Sequence, residues 1–256
     1  MKKELKNEHI IFTKNNHLGI IKLNKPDKLN AISIQMITEF IEVLNFIRVD
    51  DELKVIIITG EGEAFSTGAD FEFVLNIGTP EKLREATRQY WNKAFDAIEE
   101  MEKLFIAAIN GIAIGCGLEL ALACDLRIAA EGVKMGLPEI NYGLIPDAGG
   151  TIRLTRIVGA GFTKEMILSG ESIKSEEAQQ IGLINRILPP ENFLENAKEY
   201  ASKFLNKSGT AIGLGKLTIN KSMDQDIKSG LEHALITQSL LLHSEEYKRA
   251  MIAIKK

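Results

Sequence analysis

Two glutamates are unusual because of the residues that surround them. Glu119 is the one charged residue in the run from Leu104 to Ala123. An ionised carboxylate is rarely fully buried unless it is paired or functional. The neighbours of Glu119 would cover every face of a helix with apolar side chains, which favours a buried position over a wet helix face. Glu139 follows a proline and has no evident helix-capping role. Two carboxylates in apolar surroundings are suited to accepting and donating protons.

Glycines near Glu119 could free backbone hydrogen-bond donors. Gly115 and Gly117 flank Cys116 where a strand pattern gives way to a helical one. Glycines at such a junction let a ligand approach the backbone, and the start of a helix favours negative charge. The segment is not a dinucleotide fingerprint, because Leu120 occupies the third glycine position, and no P-loop is present. A tight turn needed only for packing is the other interpretation.

A rigid loop at residues 143–151 adds a third carboxylate. It contains Pro146, Asp147 and the pair Gly149-Gly150, and loops with a fixed backbone are common sites of function. Asp147 is either a residue at the start of a helix or part of a site. Together these features are sufficient for carbonyl chemistry. One carboxylate would accept a proton, another would donate one, and backbone N–H groups would stabilise an oxyanion.

Alternating apolar runs and amphipathic stretches predict the elements that position these residues. Strands are predicted at 9–12, 18–23, 55–59 and 125–129, and a further buried strand at 105–109 is predicted to continue after Gly111 to residue 114. Helices are predicted at 34–48, 79–103, 118–123, 151–158, 162–169, 175–181, 191–206 and 222–253. Ser33 and Thr79-Pro80 provide typical helix starts. Strands first and helices later predict an α/β core followed by a helical region.

Composition narrows the class of protein. The 256 residues are 45% hydrophobic and 26% charged, with a net charge of −4. These values are typical of a globular chain and provide no basic face for nucleic acid. The two cysteines and four histidines have no metal-ligand spacing. The first residues do not resemble a signal peptide, and Glu119 would be costly in a membrane span. We therefore expect a cytoplasmic protein with no metal, no membrane anchor and no nucleic acid partner.

Four motifs, in order, resemble the enoyl-CoA hydratase/isomerase (crotonase) superfamily. The first is Asn24-Lys25-Pro26-Asp27-Lys28-Leu29-Asn30-Ala31, and the second is Ala64-Phe65-Ser66-Thr67-Gly68-Ala69-Asp70. The third runs from Ala107 to Ala121 around Gly115-Cys116-Gly117-Leu118-Glu119, with Cys124-Asp125 after it. The fourth combines Pro138-Glu139 with Leu144-Ile145-Pro146-Asp147-Ala148-Gly149-Gly150-Thr151. Each motif is weak alone, but all four in this order are specific for the superfamily.

The resemblance implies a fold and an assembly. It implies an α/β fold, a crotonase-like spiral of ββα units over residues 1–195, followed by a helical oligomerisation region over residues 196–256. The chain would form a homo-oligomer, either a trimer or a dimer of trimers. Leucines at helical spacing between Leu231 and Ile254 would then dock against neighbouring subunits. The alternative is that this segment covers its own core.

The resemblance also implies the roles of individual residues. Glu119 and Glu139 correspond to the catalytic pair, and the backbone N–H groups of Ala69 and Cys116 correspond to the oxyanion hole. Substrate contacts are implied for Lys28, Leu29, Ala31, Ser66, Gly68, Ala69, Asp70 and Gly115. The implied substrate is an acyl-CoA thioester, so coenzyme A enters as part of the substrate. No further cofactor is needed, because the thioester itself is the electron sink.

Retention of both glutamates points to reversible hydration of trans-2-enoyl-CoA to 3-hydroxyacyl-CoA, as in fatty-acid β-oxidation. By resemblance, Glu119 would activate the water that attacks the β-carbon, and Glu139 would protonate the α-carbon. An enoyl-CoA isomerase on the same scaffold is the alternative activity. A non-catalytic assembly protein or nucleic-acid-binding member is the alternative class. The acyl chain is not defined by the sequence, although Phe71, Phe73, Trp91 and Phe95 are candidates for the pocket wall.

Three residues depart from the family pattern. Cys116 stands where glycine or alanine is common, Glu72 stands where well-known hydratases have a lysine, and Asp147 stands where many have a glycine. Cys116 is expected to contribute its backbone N–H and not its thiol. A nucleophilic cysteine needs a base, and no histidine lies between His17 and His233 to form a local pair.

Overall fold

The computed structural model describes residues 2–254. Strands are formed by β1 (Lys2–Lys6), β2 (Ile10–Asn15), β3 (Leu18–Leu23), β4 (Val55–Gly60), β5 (Ala64–Ser66), β6 (Leu104–Ile109), β7 (Ile112–Ile114), β8 (Leu126–Ala130), β9 (Lys134–Gly136), β10 (Ser172–Lys174) and β11 (Arg186–Leu188). Helices are formed by α1 (Ile34–Arg48), α2 (Phe71–Asn76), α3 (Pro80–Ala86), α4 (Lys93–Glu100), α5 (Cys116–Ala123), α6 (Gly150–Ser169), α7 (Ser175–Gln180), α8 (Phe193–Leu205), α9 (Gly209–Ser222), α10 (Ile227–Leu241) and α11 (Glu245–Ile254). Short 3-10 turns at Pro26–Lys28 and Pro138–Tyr142 and a π-helical segment at Thr87–Asn92 complete the elements.

Two sheets organise the chain. The larger sheet has the order β1-β2-β3-β4-β6-β8-β11, with antiparallel pairing up to β3 and parallel pairing from β3 onward. The smaller sheet has the order β10-β9-β7-β5, and β5, β7 and β9 run parallel. Parallel strands end at the same edge of a sheet, so the loops after β5, β7 and β9 meet there. These loops lead into Ala69, Cys116 and Glu139.

The central strands are buried on both faces. Ile56 and Ile58 of β4 belong to the core shared with α1, α4 and α5. Val55 and Ile57 face the opposite way and pack in a second core with α8. This two-sided burial explains why the sequence of β4 is a continuous apolar run rather than an alternating one.

The first helix and the strands predicted at 9–12, 18–23, 55–59 and 125–129 are confirmed. The strand predicted to continue from 105–109 to 114 is instead two strands, β6 and β7, which lie in different sheets. Ser33 caps α1, because its side-chain oxygen accepts a hydrogen bond from Met36 N at 3.2 Å. The predicted helix at 79–103 is confirmed as an unbroken helical run from Pro80 to Glu100. It differs from the prediction in containing the π-helical segment and in ending three residues earlier. The predicted hairpin between β2 and β3 is present, with Asn16 at a positive φ of 53° in its turn.

The second half differs more from the prediction. The three-residue strands β10 and β11 were missed, because three residues are too few to reveal the alternating apolar and polar pattern of a strand. Helix α9 was also missed, since its three glycines weaken a helical pattern. One of them, Gly213, is required by packing: an added Cβ would lie 2.6 Å from the Glu102 carbonyl oxygen. The predicted helix at 222–253 is two helices, α10 and α11.

The C-terminal helices divide into a docked part and an exposed part. Lys216 of α9 is buried, and its Nζ lies 3.0 Å from an Asp125 carboxylate oxygen and donates to Ile98 O at 2.6 Å. Neither α10 nor α11 contains a buried residue. The predicted boundary between 195 and 196 falls inside α8, and the division into two regions stays a prediction. Met1, at the start of the first predicted region, and Lys255 and Lys256, at the end of the second, lie outside the described residues.

Candidate active site

Glu119 occupies the first turn of α5 and is enclosed by protein. Only 2% of its surface is exposed. Its Oε1 accepts a hydrogen bond from Gly150 N at 2.7 Å. Glycine is required at 150, because an added Cβ would lie 2.9 Å from the same oxygen and 2.7 Å from Pro146 Cβ. The apolar neighbours that predicted a buried carboxylate are therefore confirmed, and the wet-face alternative is excluded.

Burial changes the acidity of Glu119. It raises the pKa of the Glu119 carboxyl to about 8 from an ordinary 4.5, and the charges of Glu139 and Asp147 act in the same direction. The Gly150 N–H opposes this shift, because it favours the ionised form. Glu119 can consequently exchange a proton near neutral pH, as a general acid–base catalyst must.

Glu139 faces the start of α5 from the 3-10 turn that follows β9. An added Cβ at Gly115 would lie 2.9 Å from Glu139 Oε1, so the carboxylate and this glycine are in close contact. Glu139 Oε2 is buried and has no hydrogen-bond partner among the described residues. Burial, and then the charge of Asp147, raise the pKa of Glu139. An unpartnered carboxylate oxygen of this kind is available to a reacting group.

The backbone N–H groups of Ala69 and Cys116 are both unpaired within residues 2–254. Cys116 is the first residue of α5, where N–H groups have no intrahelical acceptor. Gly68, beside Ala69, packs against this point, since its added Cβ would lie 3.3 Å from Cys116 N. Two free donors at adjoining loops match the arrangement that stabilises an oxyanion. The tight-turn interpretation alone does not account for them.

The other predicted substrate contacts are only partly brought together. Lys28 and Leu29 are exposed, and Ala31 and Asp70 are half-buried. Asp70 caps α2 by accepting from Glu72 N at 3.0 Å and lies 3.4 Å from Lys25 Nζ. Gly68 and Gly115 precede the two unpaired backbone donors, Ala69 and Cys116, in the chain. The substrate contacts of these residues stay predictions.

Ser66 is closed to solvent, and its hydroxyl has two partners inside the protein. It donates to Asn30 O at 2.8 Å and accepts from Gly68 N at 3.2 Å. On its other side, an added Cβ at Gly117 would lie 2.7 Å from Ser66 Cβ. The hydroxyl is therefore committed to protein groups, and a direct substrate contact of Ser66 stays a prediction that its burial does not support.

Asp147 does not cap α6, and its charge acts on both Glu119 and Glu139. The helix begins at Gly150 with Gly149 as its N-cap. The Asp147 carboxylate instead accepts from Thr87 Oγ1 at 3.0 Å. Thr87 was not predicted as a functional residue. The sequence indicates only that it lies on the predicted helix at 79–103. Its position in a π-helical segment is typical of functional regions.

Arg153 fixes the loop that presents Gly150. It forms two hydrogen bonds to Glu99, at 2.8 and 2.7 Å, and a third to Asp96 at 3.0 Å. Its remaining nitrogen donates to Ala148 O at 3.0 Å. The guanidinium therefore ties this loop to α4. This anchoring holds the Gly150 N–H towards Glu119, although Gly150 itself has no side chain that could fix its position.

The Cys116 thiol is not activated. Burial raises its pKa well above the ordinary value, and the neighbouring carboxylates act in the same direction. A thiolate is required for nucleophilic attack, so this environment suppresses such a role. Within residues 2–254 there is also no group of three His, Cys, Asp or Glu side chains arranged to hold a metal ion.

The four aromatic residues predicted for the acyl pocket differ in burial and in their contacts. The rings of Phe73 and Trp91 are in contact, with centroids 4.9 Å apart. Phe95 is fully buried in the core, whereas Phe71 is 60% exposed and contacts Tyr142 at 5.8 Å. Phe71 follows the loop that contains Ala69, and Tyr142 ends the turn that carries Glu139. The four candidates therefore do not form one uniform wall.

The fold and this site define a class of protein. The chain belongs to the enoyl-CoA hydratase/isomerase family, whose model matches residues 13–255. It is 36% identical over 246 residues to a short-chain-enoyl-CoA hydratase of Clostridium acetobutylicum, covering 96% of this chain and 94% of that protein. It is 36% identical over 247 residues to a crotonyl-CoA hydratase of Syntrophomonas wolfei, again covering 96% and 94%.

Solved structures agree with this assignment. An enoyl-CoA hydratase from Bacillus anthracis superposes with a TM-score of 0.92 at 34% identity, covering 97% of this chain and 96% of that one. The predicted superfamily and its α/β fold are thereby confirmed. Among the described helices, none is both long and apolar enough to cross a membrane.

Proposed function

We propose that this chain is an enoyl-CoA hydratase, which adds water reversibly to trans-2-enoyl-CoA thioesters in fatty-acid metabolism. The observation that carries the proposal is the pairing of two carboxyls of raised pKa, Glu119 and Glu139, beside two unpaired backbone donors. Relatives named as hydratases across 96% of the chain support the same activity.

The oxyanion hole acts on the thioester carbonyl. The N–H groups of Ala69 and Cys116 would donate to its oxygen and stabilise the enolate that forms when water attacks. Removing one such donor typically costs about 10²–10³ in turnover. The thioester accepts the electrons of the reaction, so the proposal requires no cofactor besides the coenzyme A of the substrate.

The carboxyl pair accounts for both protons. In hydration, ionised Glu119 accepts a proton from water while the oxygen bonds to the β-carbon, and protonated Glu139 donates its proton to the α-carbon. The pair ends with the proton on Glu119, which is the state that dehydration needs. A pKa of about 8 for Glu119 means that this carboxyl is largely protonated in the free enzyme at neutral pH. Proton exchange between the two states then serves both directions, and the proton belongs to the pair.

A homo-oligomer, a trimer or a dimer of trimers, is also part of the proposal. Leu231 and Leu235 of α10 are each 67% exposed, and Ile252 of α11 is 60% exposed. Apolar side chains exposed together usually mark an interface. We further place the protein in the cytoplasm, because Cys116 and Cys124 are free thiols, as is usual in reducing compartments.

Assays of the purified protein on two thioesters test the activity. Crotonyl-CoA, a 2-enoyl thioester, should lose its conjugated ultraviolet absorbance as water adds. A 3-enoyl thioester should be converted much more slowly. The reverse preference would overturn the proposal in favour of the isomerase, the alternative with less support. Absence of turnover on both would favour a non-catalytic member.

A further inference from the structure

Asn30 holds an uncommon backbone conformation next to the oxyanion loop. Leu29 and Asn30 have consecutive positive φ angles of 48° and 56°. This left-handed region is unfavourable for a leucine, because its Cβ lies too close to the following carbonyl oxygen. Two such residues in succession persist only where the surroundings enforce them. Asn30 lies in the first of the four motifs, and the family resemblance implies no substrate contact for it.

The side chain of Asn30 supplies that enforcement. Asn30 is fully buried. Its Oδ1 accepts from Lys25 N at 2.9 Å, and its Nδ2 donates to Glu61 O at 2.9 Å and Ala64 O at 2.8 Å. Both amide hydrogens are therefore used, and they bind the turn between β4 and β5. Gly60 leaves the space, since its added Cβ would lie 2.8 Å from Asn30 Nδ2.

The backbone on either side of Asn30 forms hydrogen bonds to the loop that carries Ala69. Leu29 O accepts from Thr67 N at 3.1 Å. Ile32 donates to Gly68 O at 2.7 Å and accepts from Asp70 N at 3.0 Å. Ile32 thus bonds to the residues on either side of Ala69, and in such a parallel bridge the Ala69 N–H faces away from it. That direction leaves the N–H free.

The same segment sets the spacing to the second donor. Asn30 O accepts from Ser66 Oγ at 2.8 Å. Ser66 packs on Gly117, and Gly68 packs beside Cys116 N. A displacement of residues 29–32 would therefore move the Ala69 N–H relative to the Cys116 N–H.

We propose that Asn30 is a positioning residue, whose buried amide fixes residues 29–32 so that the Ala69 and Cys116 donors converge on one thioester oxygen. The inference rests on the proposed function. It differs from a role in binding coenzyme A, which the resemblance implies for Lys28, Leu29 and Ala31.

Three variants test it. Asn30→Asp keeps the shape of the side chain but replaces both amide donors by oxygen. Asn30→Gly permits the positive φ and removes the side chain, so it remains informative if Asn30→Asp fails to fold. Asn196→Asp is the matched control, because Asn196 Nδ2 also donates to two loop carbonyls, of Pro189 and Glu191, in a helix outside the site.

Two readouts separate positioning from stability. One is steady-state hydration of crotonyl-CoA, with kcat and KM measured separately and folding checked by circular dichroism. The other is the absorption maximum of bound 4-dimethylaminocinnamoyl-CoA, which moves to longer wavelength when its carbonyl is polarised. The second readout does not require hydration.

We expect both Asn30 variants to lose about 10²-fold in kcat, the scale of one lost oxyanion donor. We also expect the bound probe to show a smaller displacement of its absorption maximum to longer wavelength than in the wild type. Asn196→Asp should match the wild type in both. A raised KM with unchanged kcat and unchanged absorption would overturn the inference and assign Asn30 to coenzyme A binding. If the wild type shifts the probe but hydrates no enoyl thioester, the proposed function fails. A shift lost in the Asn30 variants would then still support the inference.

Discussion

The carboxylate of Glu119 accepts its hydrogen bond from the backbone of Gly150, 2.7 Å away, and not from another side chain. A backbone donor keeps its proton at every pH, so it orients the carboxylate without competing for the proton that the reaction moves. The backbone of Ala148 acts on the same carboxylate and, like Gly150, favours its ionised form. Glycine at 150 permits this approach, because any side chain would collide with the carboxylate.

Replacing either glutamate by glutamine should remove proton transfer. We expect Glu119→Gln and Glu139→Gln each to lower hydration turnover by at least ~10², the usual contribution of general acid–base catalysis. The double variant should lose much less than the product of the two losses, since the residues act as a unit. Steady-state assays of the three variants measure this. Near wild-type turnover of Glu119→Gln would remove Glu119 from the mechanism.

Glu119→Gln should also stabilise the fold at alkaline pH. The pKa of Glu119 is about 8 in the folded chain and near 4.5 when unfolded, so ionisation favours the unfolded chain. The stability contributed by the protonated group is complete below about pH 4.5 and is lost as the pH rises towards 8. Glutamine avoids this loss and keeps an acceptor for Gly150. Urea unfolding at pH 8 should show a gain on the order of 2–4 kcal/mol, and none at pH 4.5.

The control for this stability difference is Glu85→Gln, which changes an exposed carboxylate of α3. It should alter the free energy of unfolding little at either pH. Equal stability of Glu119→Gln and the wild type at pH 8 would mean that burial does not shift Glu119.

Asp147→Asn should move the pH profile of hydration to lower pH. The Asp147 charge raises the pKa of both Glu119 and Glu139, so its removal lowers both. The rate requires one proton in the pair and should fall above pH 8 in the wild type. In Asp147→Asn this alkaline fall should begin at lower pH. Thr87→Val, which leaves the charge but removes its hydrogen-bond donor, should shift the profile less. Identical profiles for wild type and Asp147→Asn would contradict the electrostatic role.

Cys116 provides a test of backbone against side-chain function. Cys116→Ala and Cys116→Gly should retain activity within about tenfold, because both keep the N–H. Cys116→Pro removes that donor and should cost about 10²–10³ in turnover, or more if the ring distorts the loop. Circular dichroism verifies folding. A folded but inactive Cys116→Ala protein would show that the thiol takes part.

The exposed C-terminal helices predict assembly. Light scattering at micromolar concentration should give three or six times the 28.3 kDa chain mass. Leu231→Glu combined with Leu235→Glu should lower that mass, because charges would be buried in the interface. Val49→Glu is the control, because Val49 follows α1 and is 76% exposed. This variant should keep the wild-type mass. A monomeric wild type would favour the alternative that this segment serves only its own chain.

The sequence predicted the candidate catalytic residues better than the residues that hold them in position. Glu119 could be found because apolar residues surround it, and Gly115 because glycines interrupt the run. Thr87 and Asn30 could not be found, since their importance depends on partners 60 and 34 residues away in the chain. The π-helical segment and the positive φ of Leu29 are likewise set by tertiary packing, which overrides local preference.

The backbone origin of the two proposed oxyanion donors has a consequence for how genes of this kind diverge. No codon change except one to proline can delete an amide proton, so on the proposed mechanism any substitution at 69 or 116 that fits the available space would keep the donor. Each carboxylate, in contrast, is one nucleotide substitution away from loss. Duplicated copies would therefore keep thioester binding while their proton chemistry changes, and the scaffold can acquire new reactions from an intact starting point.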